Sequence, residues 1–302
     1  MLRKKVGSTV PGARPRDISK AGWRAALKRT ISGVGEHNLT LVAAGVAFYG
    51  MLGIFPALTA LISVYGLIAD PADVQQLLSS GMLPGNVASL LQGQAHSLAG
   101  SGSAGALGIS VIVGFLLTLW SARQGAQAII KALNIAYGER ETRTFLRRAG
   151  LSLLFTIGSI LFAIVALVCV VVIPALLGQF HLGPAFREGI SAIRWPVLAV
   201  LIFGGVAIMY RFAPDRCRPA WRWVVYGSIA ATILWLIGSA LFSLYVSHFA
   251  NYNKVYGTVG TVVVLLLWLY ISALIVLVGA EFNSAVEQQV AIEADVAEDR
   301  RK

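Results

Sequence analysis

Six long apolar stretches constrain this chain more than any other feature of its sequence. A helix needs about 20 mostly apolar residues to cross the hydrocarbon of a bilayer. The backbone in lipid must also satisfy its own hydrogen bonds, and none of the stretches shows the alternation of a barrel strand. We therefore predict an all-α, polytopic integral membrane protein with six transmembrane helices, over residues 39–68, 104–137, 149–173, 195–212, 221–247 and 258–282.

The composition supports a membrane protein. Hydrophobic residues make up 57% of the chain and charged residues 13%, whereas soluble domains are about 25% charged. This balance excludes an ordinary soluble enzyme, a disordered chain and a disulfide scaffold. Cys169 lies in an apolar stretch and Cys217 in a polar one, so we expect two reduced thiols rather than a disulfide.

The positions of lysine and arginine predict the orientation in the membrane. The formal net charge is +11. Of the lysine and arginine residues outside the six spans or at their ends, 20 would lie on one side of the membrane, and 3 would lie on the other side. By the positive-inside rule both termini are cytoplasmic. The charge is thus an orientation signal, and no nucleic-acid partner is expected, because no folded basic domain with stacking aromatic residues is present.

The segments outside the spans carry three further predictions. Residues 1–38 form a basic cytoplasmic tail with an amphipathic helix, and residues 70–103 form an outer amphipathic loop that caps or gates the bundle. Residues 285–302 form a charged cytoplasmic tail beyond the transmembrane domain of residues 39–284. The amphipathic helix is expected to bind anionic lipids of the inner leaflet, the alternative being a soluble basic tail, through the basic residues Lys20, Arg24 and Lys28.

A few polar residues within or beside the spans form the candidate site. Ionisable groups in a span are costly and commonly mark function. The predicted topology places the following residues at similar depth near the inner end of the bundle: Arg123, Gln127, Asn134, Glu281, Asn283, Asn38 and Glu36. We expect a polar cluster in which Glu281 pairs with Arg123. The alternative is that each side chain reaches the aqueous interface separately.

Three helix-perturbing residues are candidate hinges. Pro56 interrupts the first stretch, and Gly204 and Gly205 lie in the fourth. A static kink or close packing is the alternative interpretation.

No pattern for catalysis or for binding a metal or cofactor is evident. His37 is predicted on the inner side, and His96, His181 and His248 lie in three different outer segments. The chain has no HExxH, CxxC, P-loop or GxSxG motif. We therefore expect no enzyme, no cofactor and no metal site, although an outer site formed by the three outer histidines remains an alternative.

Several short motifs lie along the chain. They are Ala43-Ala44-Gly45-Val46-Ala47-Phe48-Tyr49 with Phe55-Pro56, Leu119-Trp120-Ser121-Ala122-Arg123, Ala132-Leu133-Asn134, Tyr137-Gly138-Glu139, Tyr210-Arg211-Phe212-Ala213-Pro214, Tyr256-Gly257 with Gly260, Leu267-Trp268-Leu269-Tyr270 and Gly279-Ala280-Glu281-Phe282-Asn283. Together these motifs resemble those of the YihY / virulence factor BrkB family of bacterial inner-membrane proteins, and the resemblance extends over about residues 25–285.

The resemblance implies a six-helix protein of the bacterial cytoplasmic membrane. Members have been labelled ribonuclease BN, and lipid or lipopolysaccharide export is suspected for some. We therefore expect a transporter or flippase-like protein for a lipid or envelope component. The alternative is a non-transporting scaffold or envelope-assembly factor, and a ribonuclease is the least favoured of the three. A homo-oligomer is compatible with the sequence, which does not specify a substrate.

Overall fold

The computed structural model describes residues 18–68, 123–169, 184–216, 219–248 and 252–300. These residues form seven helices and no strand, which confirms the all-α prediction for this part of the chain. The predicted outer loop 70–103 lies outside the described residues, as does the first part of the second predicted span. The helices are α1 (Lys20–Glu36), α2 (Leu39–Ile68), α3 (123–137), α4 (Phe145–Leu167), α5 (Pro184–Phe212), α6 (Trp221–His248) and α7 (Tyr252–Asp299).

The chain divides into two compact units. One unit comprises Met1–Met51 and Gly125–Lys302, and the other comprises Leu52–Gln124. In the second unit the structure describes the helical backbone of residues 52–68 and residues 123–124. All side-chain contacts reported below lie within the first unit.

Four of the described helices are long and apolar enough to cross a membrane. Large apolar side chains remain exposed along them, including Leu154, Val200, Leu241 and Val263. Such surfaces suit hydrocarbon rather than water. The apolar segments of these four helices are Phe145–Ala166, Trp195–Phe212, Trp221–Ser247 and Val262–Ala297. The six crossings and the side of the membrane on which each terminus lies stay predictions.

Helix α7 is much longer than its predicted span of residues 258–282. It has 48 residues, which corresponds to about 72 Å at about 1.5 Å per residue. The hydrocarbon core is only about 30 Å thick. No glycine or proline follows Gly279, so nothing in the sequence ends the helix, and much of the predicted charged tail continues it to Asp299.

Helix α1 packs antiparallel against the C-terminal half of α7. Ser19 caps its N-terminus by accepting a hydrogen bond from the Gly22 N–H at 2.9 Å. Ser19 also binds Glu293, whereas His37, after the last turn of α1, binds Glu281. Small residues form the buried face of α1, namely Gly22, Ala26, Thr30 and Gly33.

Two residues with positive φ set the corners beside the polar cluster. Asn38 has φ 49° and turns the chain from α1 into α2, a conformation that asparagine tolerates better than most residues. Gly138 has φ 67° and ends α3. The Gly138 N–H donates to the Ile135 carbonyl and the Glu139 N–H to the Asn134 carbonyl, which is a Schellman motif.

The central core joins several helices around a close crossing of α6 and α7. Its large buried side chains include Leu39, Leu133, Tyr210, Val224 and Leu277. A Cβ atom at Gly227 of α6 would collide with the carbonyl oxygen of Gly279, so glycine is needed where these helices meet.

Helix α5 begins earlier than the apolar stretch from residue 195 indicates. It starts at Pro184 and contains Pro196. Gly204 and Gly205 lie inside this continuous helix, and the Phe162 ring lies 3.2 Å from the Cβ position of Gly205. Gly205 therefore has a packing role. Pro56 lies within α2, and the hinge function of these three residues stays a prediction.

Candidate functional site

A polar cluster lies where α7 meets the end of α1, the end of α3 and the turn between α5 and α6. We define it as His37, Asn134, Tyr137, Glu141, Thr142, Arg143, Tyr210, Asp215, Arg216, Glu281, Asn283 and Glu287. Most of these side chains are buried or partly buried. Three residues of α7, Glu281, Asn283 and Glu287, each bind a different part of the first unit.

Asn283 joins three helices through one fully buried amide. Its Oδ1 accepts a hydrogen bond from the Gly227 N–H at 2.7 Å. Its Nδ2 donates to the Val224 carbonyl and to the Tyr137 hydroxyl, each at 3.2 Å. The amide thereby connects α7 to α6 and α3, and a residue of another shape would leave buried polar groups without partners.

Arg216 and Glu287 form a buried ion pair. Nη1 of Arg216 lies 2.9 and 2.8 Å from the two carboxylate oxygens of Glu287. The two side chains are only 9% and 12% exposed. The guanidinium also lies 3.9 Å from the centre of the Tyr137 ring, which adds a cation–π contact. Such a pair is expensive to desolvate, so the surrounding contacts must compensate.

Tyr210 connects this ion pair to the core. Its hydroxyl donates to the Val276 carbonyl at 2.6 Å, and its ring meets that of Tyr137 edge-to-face at 6.3 Å. Because Tyr210 is fully buried, its hydrogen bond to the α7 backbone also fixes the end of α5.

Asp215 ties the α5–α6 turn to the α3–α4 turn. Its Oδ2 accepts hydrogen bonds from the Thr142 N–H and hydroxyl, both at 2.6 Å, and Nε of Arg143 lies 3.2 Å from Oδ1. Burial opposes ionisation, but the Thr142 hydrogen bonds and the Arg143 charge hold the pKa of Asp215 below its usual range. Asn134 completes the link by accepting from the Asp215 N–H and donating to Glu141.

Glu281 is buried at the corner between α1 and α2. His37 donates from Nδ1 to Oε2 of Glu281 over 2.8 Å, if the ring carries its proton there. Glu281 is packed so closely against α1 that a Cβ atom at Gly33 would collide with its carboxylate. Arg123 is also buried, and its predicted pairing with Glu281 stays a prediction.

The structure places three residues of the predicted site in the polar cluster. Asn134, Glu281 and Asn283 are buried members of the cluster, Gln127 is half-buried, and Asn38 is exposed at its corner. Six members of the cluster were not predicted from the sequence: Arg143, Asp215 and Arg216 in the turns, Glu287 in α7, and the tyrosines Tyr137 and Tyr210. The motifs around Tyr137 and Tyr210 supported the family resemblance but were not interpreted as parts of a site.

Metal ligands do not converge in the described part of the chain. There, no group of three histidine, cysteine, aspartate or glutamate residues is placed to hold an ion. The chemistry evident among these residues is therefore charge pairing and hydrogen bonding at the end of an apolar bundle.

The described residues define an all-helical membrane protein in which buried polar and charged side chains cluster where apolar helices end. A sequence model for the virulence factor BrkB family matches residues 30–302, and the chain belongs to this family.

Relatives agree with this assignment. A putative ribonuclease-like protein of Bacillus subtilis, YfkH, is 30% identical over 87% of this chain and 95% of its own length. A UPF0761 membrane protein of Idiomarina loihiensis is 30% identical over 58% of this chain and 60% of its own length. A UPF0761 membrane protein of Ralstonia nicotianae is 27% identical over 86% of this chain and 57% of its own length. No solved structure matches the chain.

Proposed function

We propose that this protein is a transporter or flippase-like protein that moves a lipid or another envelope component across the membrane. The observation that carries the proposal is the set of buried polar pairs at the end of an apolar bundle, the Arg216–Glu287 ion pair and the His37–Glu281 hydrogen bond. Ionisable groups in such surroundings are retained where a polar cargo or ion is handled.

Stability alone is a poor reason for keeping these pairs. Replacing a buried ion pair with well-packed apolar residues is often neutral or stabilising by about 1–4 kcal/mol. The described end of the bundle instead keeps two buried carboxylates of α7, Glu287 in an ion pair with Arg216 and Glu281 hydrogen-bonded to His37. A functional requirement for charge explains this better than folding does.

The charge pairs suggest how a cargo could be handled. An amphiphile has a polar headgroup and apolar chains. An anionic headgroup can replace Glu287 at Arg216, which would leave the guanidinium paired throughout, and it can accept the hydrogen bond of His37 in place of Glu281. The exposed apolar faces of α4–α7 would meanwhile contact the apolar chains of the amphiphile. Exchange between internal and cargo partners keeps the cost of desolvation low.

A non-transporting scaffold is the second candidate, and the far end of α7 favours it. This helix continues well beyond the length that a bilayer requires, and Ile292 and Val296 on it remain exposed. Exposed apolar residues on a projecting helix suit a protein partner.

Translocation in proteoliposomes tests the first candidate. Fluorescent phosphatidylglycerol would be incorporated with wild-type protein, Glu281→Gln or Arg216→Gln, and an impermeant reductant would bleach the outer leaflet. Glu36→Gln is the matched control, because Glu36 is an exposed carboxylate at the end of α1. We expect wild-type protein and the control to bring inner-leaflet lipid to the reductant. Each cluster variant should be slower by at least about tenfold, or about 1.4 kcal/mol in barrier.

Two results would count against transport. One is wild-type protein that moves neither phosphatidylglycerol nor any other envelope lipid beyond protein-free liposomes. The other is Glu281→Gln that translocates as fast as Glu36→Gln, which would separate movement from the cluster. Specific co-purification of a partner through α7, without translocation, would support the scaffold.

A further inference from the structure

Arg211 is a cation of the α5–α6 region that takes no part in the polar cluster. It lies in the last turn of α5. Its guanidinium carbon lies 4.3 Å from the centre of the Trp221 ring, at the start of α6, and 5.4 Å from that of Phe212. The two rings meet edge-to-face at 6.4 Å. These rings hold the guanidinium in place through cation–π contacts.

Two of the three nitrogen atoms of this guanidinium form no hydrogen bond within the described part of the chain. Nε and Nη1 of Arg211 are buried and have no hydrogen-bond partner among the described residues. No carboxylate in the described part of the chain lies within 4.0 Å of it. The side chain as a whole is only partly buried, which leaves Nη2 as the nitrogen able to meet a ligand.

Nearby carboxylates are already occupied. Asp215 is the only acidic residue between positions 211 and 222, and it binds Thr142 and Arg143. Glu287 binds Arg216. An arginine stays protonated in proteins, and a partly desolvated cation without a counter-charge is costly. The aromatic rings compensate only part of this cost, and the described residues supply no counter-charge, so an anionic ligand is the expected partner.

The position of Arg211 indicates which anion this is. The apolar segments Trp195–Phe212 and Trp221–Ser247 end and begin beside it. The ends of membrane-spanning segments lie at the level of the lipid headgroups, where tryptophan is enriched. Trp221 is 49% exposed, and Arg222 next to it is also exposed. Arginine binds phosphate oxygens strongly, and phosphate is the anion of this layer.

We propose that Arg211, stacked against Phe212 and Trp221, binds a phosphate group, the shared chemistry of a phospholipid headgroup and free phosphate. Nη2 donates to a phosphate oxygen, and the anion supplies the counter-charge for the whole guanidinium. The site goes beyond the proposed function, because a phosphate can bind here whether or not anything is translocated.

Binding of defined probes to the purified full-length protein tests the site. Retention of phosphatidylglycerol would be titrated by native mass spectrometry for wild-type protein, Arg211→Gln and Arg211→Lys. Diacylglycerol is the probe without phosphate, and inorganic phosphate is the competitor without acyl chains. Arg140→Gln is the matched control, because Arg140 is an exposed arginine of the α3–α4 turn.

The expected result is a loss of phosphatidylglycerol affinity of at least about tenfold in Arg211→Gln, as for a lost charged hydrogen bond. Arg140→Gln should bind as wild-type protein does, and diacylglycerol should bind all variants equally weakly. Competition by inorganic phosphate that depends on Arg211 would identify free phosphate as a source. Lack of competition would identify the lipid headgroup.

Equal phosphatidylglycerol affinity in wild-type protein and Arg211→Gln would overturn the site, and so would an equal loss in Arg140→Gln. If Arg211→Gln does not fold, Arg211→Lys decides the matter. Lysine keeps the charge but cannot stack as a planar fork. An affinity several-fold below that of wild-type protein supports the site, and an unchanged affinity contradicts it.

Discussion

Single residues determine how closely the helices around the polar cluster approach one another. At Gly33 the absence of a side chain lets the Glu281 carboxylate lie against α1. At Gly227 and Gly279 it lets α6 and α7 cross with their backbones nearly in contact. The charged residues that attract attention in the sequence thus depend on small residues that carry no chemistry of their own.

Gly33→Ala should destabilise the protein, because the new methyl group collides with Glu281 and disturbs its hydrogen bond to His37. The expected loss is about 1–3 kcal/mol, the usual cost of overpacking. Thermal unfolding in detergent measures it. Gly35→Ala is the control, since nothing lies within 4 Å of the Cβ position of Gly35. Equal melting temperatures for the two variants would contradict the close packing of α1.

Asp215 should make stability depend on pH in the acid range. Its pKa is lowered in the folded protein, so its contribution is fully present above the unfolded carboxyl pKa, about 3.9. The contribution is then lost as the pH falls through the lower folded value. At neutral pH the free energy of unfolding of wild-type protein should exceed that of Asp215→Asn by about 1 kcal/mol, because the lost interaction is a salt bridge near the surface.

Urea unfolding of both proteins at several pH values checks this. The gap between wild-type protein and Asp215→Asn should stay constant from neutral pH to about pH 5 and narrow below about pH 4. A gap that widens on acidification would show that the sign of the pKa shift is wrong.

At the scale of helices, the apolar stretches of the sequence predicted where helices lie, but the sequence did not predict which helices contact each other. From length and hydropathy, the predicted span 195–212 ends at the same residue as α5, and the predicted span 221–247 closely matches α6. The packing of α1 against α7 was not predicted, because its buried face consists of Gly22, Ala26, Thr30 and Gly33 and carries no hydrophobic pattern.

The candidate site shows the same limit. Depth along the spans indicated Asn134, Glu281 and Asn283 as polar residues of one region. Three other members of the cluster, Asp215, Arg216 and Glu287, lie in a turn or beyond the predicted span, where polar residues are ordinary in any sequence. Only the folded arrangement of turns and α7 gives these residues a common location.

The crossing of α6 and α7 should tolerate no added carbon. Gly279→Ala would place a methyl group against the Tyr210 hydroxyl and the Gly227 carbonyl. We expect a loss of about 2–4 kcal/mol or failure to fold, measured as the yield of monodisperse protein and its melting temperature. Gly204→Ala is the matched control in α5, because its Cβ position is open. It should be neutral or stabilising by about 0.5–1 kcal/mol. Similar losses in both would contradict the crossing.

We also propose that α1 binds anionic lipid. Leu27 and Ile31 are 55% and 69% exposed, and Lys20, Arg24 and Lys28 are exposed beside them. Replacing the three basic residues with glutamine should remove about 1 kcal/mol of attraction per residue.

Retention of phosphatidylglycerol and phosphatidylcholine during purification measures the effect on α1. Only retention of phosphatidylglycerol should fall, and the wild-type preference should weaken at high salt. Replacement of Arg140, Arg147 and Arg148 by glutamine provides a control of equal charge change. An equal decrease there would assign the preference to net charge rather than to α1.

For the whole molecule, we expect the polar cluster to lie on the cytoplasmic side of the membrane. The distribution of lysine and arginine predicts this, with both termini inside and six crossings. The cluster and the projecting end of α7 would then face the cytoplasm, whereas the residues preceding the sixth predicted span would face outward.

Labelling of single cysteines in spheroplasts with a membrane-impermeant maleimide measures this most directly. In a background with Cys169→Ser and Cys217→Ser, we expect Lys254→Cys to react in intact spheroplasts. Asp295→Cys and Arg140→Cys should react only after permeabilisation. Labelling of Asp295→Cys in intact spheroplasts to the same extent as Lys254→Cys would contradict the account, because it would place the polar cluster and α7 on the outer side.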